Sequence, residues 1–130
     1  MTERYFLKKD DRLKSRKAIE LLFLKGKSFS NFPFRILWME VENEQGLKAG
    51  FSASSKKFKN ATDRNRIKRL MREAYRLQKN EVALLSKKLS KSISIFFIYT
   101  SKEVPDYNLV FEKMVTVLNR IIKLADEKIE

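Results

Sequence analysis

Residues 56–79 read KKFKNATDRNRIKRLMREAYRLQK, and what they form dictates what the segments around them must be. The stretch holds ten of the chain's 29 basic residues against Asp63 and Glu73 alone, so it carries +8 of a net +13. At about 100° per residue, Ile67, Leu70, Met71, Ala74 and Leu77 gather on one side of a helix. Asn65, Lys68, Arg69, Arg72, Arg76 and Lys79 gather on the opposite side. A helix anchored by one face and lined with guanidinium and ammonium groups on the other suits a polyphosphate backbone. Asn60, Thr62 or Asp63 can cap it ahead of Arg64.

Strands flank this helix on both sides. Residues 49–55 alternate Phe51 and Ala53 against Ser52 and Ser54. The hydroxyls keep their face shallow and can bond a phosphate or a sugar; the same pattern fits a partly exposed sheet face. Residues 92–100, SISIFFIYT, are apolar on both faces and rich in β-formers, which predicts a central strand. Residues 34–41 form another strand, with Phe34, Ile36 and Trp38 on one face and Leu37, Met39 and Val41 on the other. Residues 42–48, with Asn43 and Gly46, turn the chain back.

Nearer the start, Ser15 caps a helix whose apolar positions are Ala18, Ile19, Leu22 and Phe23 and which ends at Gly26. Simple core packing explains Ile19 and Phe23 as well as any function does. A short extra strand fits near residues 27–30. Val82, Leu84, Leu85 and Leu89 either continue the basic helix or make a second short turn. Pro105 breaks the chain, Asp106 can cap the last helix, and Val110, Met114, Val117, Leu118, Ile121 and Ala125 repeat at helical spacing. The order is helix, two strands, helix, strand, helix. That predicts an α+β fold, helices on a small mixed sheet, in one domain spanning 1–130. Residues 1–14 read as a flexible basic arm, with Arg4, Lys8, Lys9, Arg12 and Lys14 available for phosphates.

Composition narrows the chemistry. With no cysteine there is no disulfide, thiolate nucleophile or cysteine-bound zinc. With no histidine the usual base near neutral pH and the commonest metal ligand are both missing. No apolar run approaches a membrane span, and the charged N-terminus carries no secretory pattern, so the cytoplasm is the expected location. Residues 28–55 hold only two basic residues and 80–130 are close to neutral, so the charge is localised. A pI near 10.0 calls for an anionic partner, nucleic acid before membrane.

At residues 64–72, RNRIKRLMR, the chain resembles the bacterial ribonuclease P protein family, which carries an RNR-centred basic helix after a strand ending in Ser-Lys-Lys. Here the approach runs Phe51-Ser52-Ala53-Ser54-Ser55-Lys56-Lys57, then Asn60-Ala61, then Arg64-Asn65-Arg66-Ile67-Lys68-Arg69. Arg12-Leu13-Lys14 resembles the family's N-terminal element. Phe23-x-x-Gly26-x-Ser28 resembles the end of its first helix, and Asp106-Tyr107 the start of its last. The series spans nearly the whole chain in order.

The resemblance implies an accessory subunit of the endoribonuclease that removes the 5′ leader of precursor tRNA. Its partners would be the catalytic RNA, one copy to one, and precursor tRNA. The RNA would perform the hydrolysis with Mg2+ that it mainly binds itself, and the protein would supply no catalytic residue or metal site. RNA contacts carry over to Arg64, Asn65, Arg66, Lys68, Arg69 and Arg72, with Lys56, Lys57, Arg12 and Lys14. The leader cleft carries over to Ile19, Phe23, Trp38, Ser52 and Ser54, where Phe23 and Trp38 would stack bases. The implied fold joins two parallel strands by a left-handed βαβ crossover, as in the second domain of a small-subunit ribosomal protein, against a rule obeyed in about 98% of cases. Ile19 stands where an aromatic is frequent, Lys59 where glycine is common, and the loop before Arg64 is one residue longer than the family pattern. Two other classes compete: a duplex reader using Arg64 and Asn65 in the major groove, and a stand-alone nuclease built on Glu40, Glu42 and Glu44.

Overall fold

The computed structural model describes Leu13 and residues 15–41, 46–89 and 91–126. Helix α1 (Arg16–Lys25) begins where Ser15 Oγ accepts the Ala18 N–H at 3.3 Å, as the capping pattern predicts. It ends at Gly26, whose N–H donates to Leu22 O. A Cβ there would stand 2.3 Å from that same oxygen, so glycine is required by close approach. Strands β1 (Lys27–Asn31) and β2 (Phe34–Val41) form an antiparallel hairpin, and β3 (Leu47–Ala53) follows. Helices α2 (Ala61–Gln78) and α3 (Asn80–Leu89), strand β4 (Ser92–Tyr99) and helix α4 (Tyr107–Asp126) complete the order. The short strand foreseen near residues 27–30 is β1, and residues 80–89 form a helix of their own.

Sheet order is β1-β2-β4-β3, with β2 antiparallel and β3 parallel to β4. The parallel pair is joined by α2 and α3, because parallel neighbours need a long crossover. One face of central β4 is buried in the main core and the other is partly covered by α1, so SISIFFIYT carries apolar residues on both faces. Ile93, Ile95, Phe97 and Tyr99 face the main core with Phe34, Ile36 and Trp38 from β2. Ile67, Met71, Ala74 and Tyr75 of α2 close that core, with Val110, Met114, Val117 and Ile121 of α4. Asp106 caps α4 by accepting the Leu109 N–H at 2.8 Å. On the opposite sheet face, Leu22 of α1 packs on Leu37 and Leu13, with Ile19, Met39, Phe96 and Ile98 at the margin.

Three expectations change. Tyr75, not assigned to the apolar face of α2, is fully buried, its ring edge-on to Phe51 at 5.7 Å and to Phe97 at 5.8 Å. Such pairs contribute about 0.5–1.5 kcal/mol beyond area burial. Leu77, expected inside, is 38% exposed. Leu13 lies within the arm expected to be flexible, yet it is buried and its N–H donates to Ala49 O at 2.9 Å. Arg12 and Lys14 lie outside the described residues.

Candidate nucleic-acid interface

An open groove of about 590 Å³ runs between α1 and α2 over the sheet face opposite the main core. Its floor is Gly50 and Ser52 of β3 and Phe96 of β4. Ile19 and Leu13 form one bank; Arg64 and Lys68 form the other, and Ser54, Ser55 and Lys56 close the end. Arg64 and Lys68 are one helical turn apart, so they flank the buried stripe of α2 on its groove side. Asn65 and Arg69, also a turn apart, are exposed and, like Arg66, are not part of the groove's lining. Arg72 is half-buried. The predicted basic residues therefore divide into a groove row and an outer row.

The chain before α2 is held by specific bonds. Arg64 Nη1 donates to Phe58 O at 2.5 Å and Lys59 O at 3.0 Å. Phe58 is buried against Tyr99, ring centroids 6.0 Å apart, and its N–H donates to Ser54 O. Lys57 Nζ donates to Thr100 O. Lys57 thus braces the loop, while Lys56 lines the groove. Asn60 takes the N-cap position of α2, although its side chain makes no cap bond. Along α2, Arg76 donates to Glu73 through Nε at 3.1 Å, and this bond, with the charge behind it, holds the Glu73 carboxyl below its ordinary range. That pairing reduces the net charge Arg76 offers to a ligand.

One cleft assignment is overturned. Trp38 is 1% exposed and points into the main core, with Lys27 Nζ 5.0 Å from its ring centroid. Strand alternation had put Trp38 and Leu37 on opposite faces, but it could not say which face meets α1. Leu37 does, so Trp38 cannot offer a ring to a base. The aromatic that reaches the groove from the sheet is Phe96, which pairs in register with both Leu37 and Gly50. A Cβ on Gly50 would stand 2.7 Å from Phe96 Cδ1, so the missing side chain makes room for the ring. Phe23 of α1, 55% exposed, meets Phe96 edge-on at 5.8 Å. The signal for Phe96 was present: it sits two residues from Ser94 and Ile98 on one face of a strand whose other face is solid core. Ile19, Ser52 and Ser54 line the groove as assigned.

A second hollow, about 360 Å³, lies among α2, α3 and α4, lined by Leu77, Gln78, Glu81, Val115 and Ile122 among others. It has no cation in its lining and does not suit a polyanion. Glu40, one of the three carboxylates of the nuclease alternative, lies 3.5 Å from Lys91 Nζ; Glu42 and Glu44 are outside the described residues. Among the described residues no helix is long and apolar enough to cross a membrane.

Cations on one bank, aromatic rings and hydroxyls on the floor, in a trench open along its length: this is the arrangement that grips single-stranded nucleic acid. Residues 7–122 match the family model described as Ribonuclease P. The chain belongs to the ribonuclease P protein family. The ribonuclease P protein component of Porphyromonas gingivalis is 34% identical over 117 residues, covering 88% of this chain and 85% of that protein. The solved RNase P protein from Thermotoga maritima is 30% identical with a TM-score of 0.66, over 84% of this chain and 96% of that one. The Staphylococcus aureus RNase P protein, 24% identical, shares the fold at a TM-score of 0.63. Membership makes the chain a protein component of the endoribonuclease of tRNA processing, as its RNR motif implied.

Proposed function

We propose that the groove binds the single-stranded 5′ leader of precursor tRNA while the outer row of α2 binds the catalytic RNA, one protein to one RNA, in the cytoplasm. The observation that carries this reading is a single groove with Arg64 and Lys68 on one bank and Phe96 on its floor, where Phe23 meets the Phe96 ring edge-on. Phosphates along the strand meet the cations of α2, Lys56 and the hydroxyls of Ser52 and Ser54. Bases turn toward Phe96 and Phe23, each stacked base contributing about 1–3 kcal/mol. Asn65, Arg66 and Arg69 are not part of the groove's lining and are free to meet a second polyphosphate surface.

Mg2+ is implied for ribonuclease P, but the groove does not fit it. The lining residues are hydroxyls, cations and apolar groups, with no carboxylate to ligate a hard dication. Among the described residues no cluster of three or more carboxylates could hold a metal. On this reading hydrolysis belongs to the RNA subunit, and the protein's part is to hold and place the leader. A duplex reader using Arg64 and Asn65 leaves the apolar and hydroxyl floor of the groove without a role. The deciding experiment is cleavage of precursor tRNA by the catalytic RNA at low Mg2+ with and without this protein. Stimulation that disappears when the leader is shortened to one nucleotide supports the reading. Cleavage by the protein alone, or stimulation independent of the leader, rejects it.

A further inference from the structure

The floor of the groove continues past Phe96. In register, Ser52 of β3, Ile98 of β4, Arg35 of β2 and Ser30 of β1 form one line across all four strands. Alternation puts Arg35 on the same face as Leu37 and Met39, which pack against α1, while Phe34, Ile36 and Trp38 enter the main core. Helix α1 sits over the neighbouring line, with Leu22 on Leu37, and its Ile19 and Phe23 mark the edge of the trench. Beyond that edge Arg35 and Ser30 are exposed and Ile98 is half-buried. The trench therefore opens onto a sill of bare sheet that ends in a guanidinium and a hydroxyl.

Arg35 is one of only two basic residues in the 28-residue span from Ser28 to Ser55. The other, Lys48, pairs with Ser94 in register and lies on the same sheet face. Neighbouring strands are about 4.8 Å apart, which places Arg35 about 10 Å across the sheet from Ser52. At the spacing of a strand in a stacked duplex, about 3.4 Å per nucleotide, that span corresponds to about three nucleotides. Ser52, Ile98 and Arg35 then repeat the chemistry of the trench: a polar contact, an apolar surface for a base, and a cation for a phosphate.

We propose that Arg35 is the distal phosphate contact of the bound single-stranded RNA, and that it sets how many leader nucleotides contribute to affinity. The inference rests on the groove being the leader site. Arg35 is exposed, so its replacement is expected to leave the fold intact.

The test is binding of precursor tRNAs with leaders of increasing length to the reconstituted holoenzyme, comparing the unaltered protein with Arg35→Ala and Arg35→Lys. The unaltered protein is expected to gain affinity with each nucleotide up to a plateau. Arg35→Ala should leave the shortest leaders unaffected, reach its plateau about three nucleotides earlier, and lose on the order of tenfold at the longest leaders. Its salt dependence at long leaders should be shallower by about 0.7 in log–log slope, and Arg35→Lys should keep that slope. An unchanged plateau in Arg35→Ala, or an equal loss at every length, overturns the role of Arg35 while leaving the groove assignment standing. No leader dependence in the unaltered protein overturns both.

Discussion

A methyl group placed on Gly50 would stand 2.7 Å from Cδ1 and 2.9 Å from Cε1 of Phe96, below any ordinary contact. Either ring or strand must move, and overpacking of this kind costs about 1–3 kcal/mol. Gly50→Ala is expected to lower the urea midpoint accordingly and to tilt Phe96 out of the groove. Phe96→Ala separates binding from stability. It should weaken leader-bearing precursor by roughly 5- to 150-fold, the equivalent of about 1–3 kcal/mol for one stacked base, with little change for mature tRNA in a competition assay. Trp38→Ala should do the reverse. It should destabilise by about 3–5 kcal/mol and leave the precursor-to-mature affinity ratio of the folded protein unchanged; a reduced ratio would restore Trp38 to the cleft. These two aromatics mark where sequence reading stopped. Periodicity separates Leu37 from Trp38 reliably, but the choice of which face receives α1 depends on long-range packing that no local pattern records.

Helix α2 was the most legible element, because one face of it must be buried and the other is too basic for anything but solvent or polyanion. Its inner stripe was misread only at Leu77 and Tyr75, where a tyrosine with aromatic neighbours on two strands displaced an aliphatic from the core. The break before α3 was not legible. Lys79 stays in right-handed helical geometry at φ −69°, ψ −16°, so neither glycine nor proline marks the joint. The two cation rows make opposite predictions. Lys68→Ala should reduce affinity for leader-bearing precursor while leaving assembly with the catalytic RNA intact. Arg69→Ala should weaken assembly, read by gel shift on the RNA subunit alone, and show normal leader preference once saturated. Identical defects in both assays for both variants would mean that α2 presents one undivided surface. Glu73 adds a small pH dependence: its lowered pKa means the Arg76 pair stabilises above the ordinary carboxylate range, and that contribution is lost as pH falls through the folded value. For so exposed a pair the effect is slight.

For the whole molecule, the sheet is a partition with the main core on one side and the groove on the other. Residues 56–79 carry +8 of the net +13, and Lys56, Arg64 and Lys68 from that stretch line the second side. If about six phosphates are neutralised on a single strand, affinity should fall on the order of 10²- to 10³-fold between 50 and 200 mM salt. A nearly flat salt response in filter binding would rule out an electrostatic grip. The α+β class and the element order were legible because each helix and strand carries its own period. The floor of the groove was not, since Gly50, Phe96 and Leu37 come from three strands and meet only through register.

The parallel pairing of β3 with β4 also carries a kinetic consequence. The β1–β2 hairpin can form from local contacts, but pairing β3 with β4 must close the long segment that holds α2 and α3, and such distant closures are slow. Gly50 and Phe96 sit on opposite sides of that late seam. The groove beside the basic helix is complete only when that seam closes. An RNA that binds only the closed seam acts as a ligand for the native state, deepening its stability by mass action. The catalytic RNA and its substrate would then help to complete the surface that recognises them.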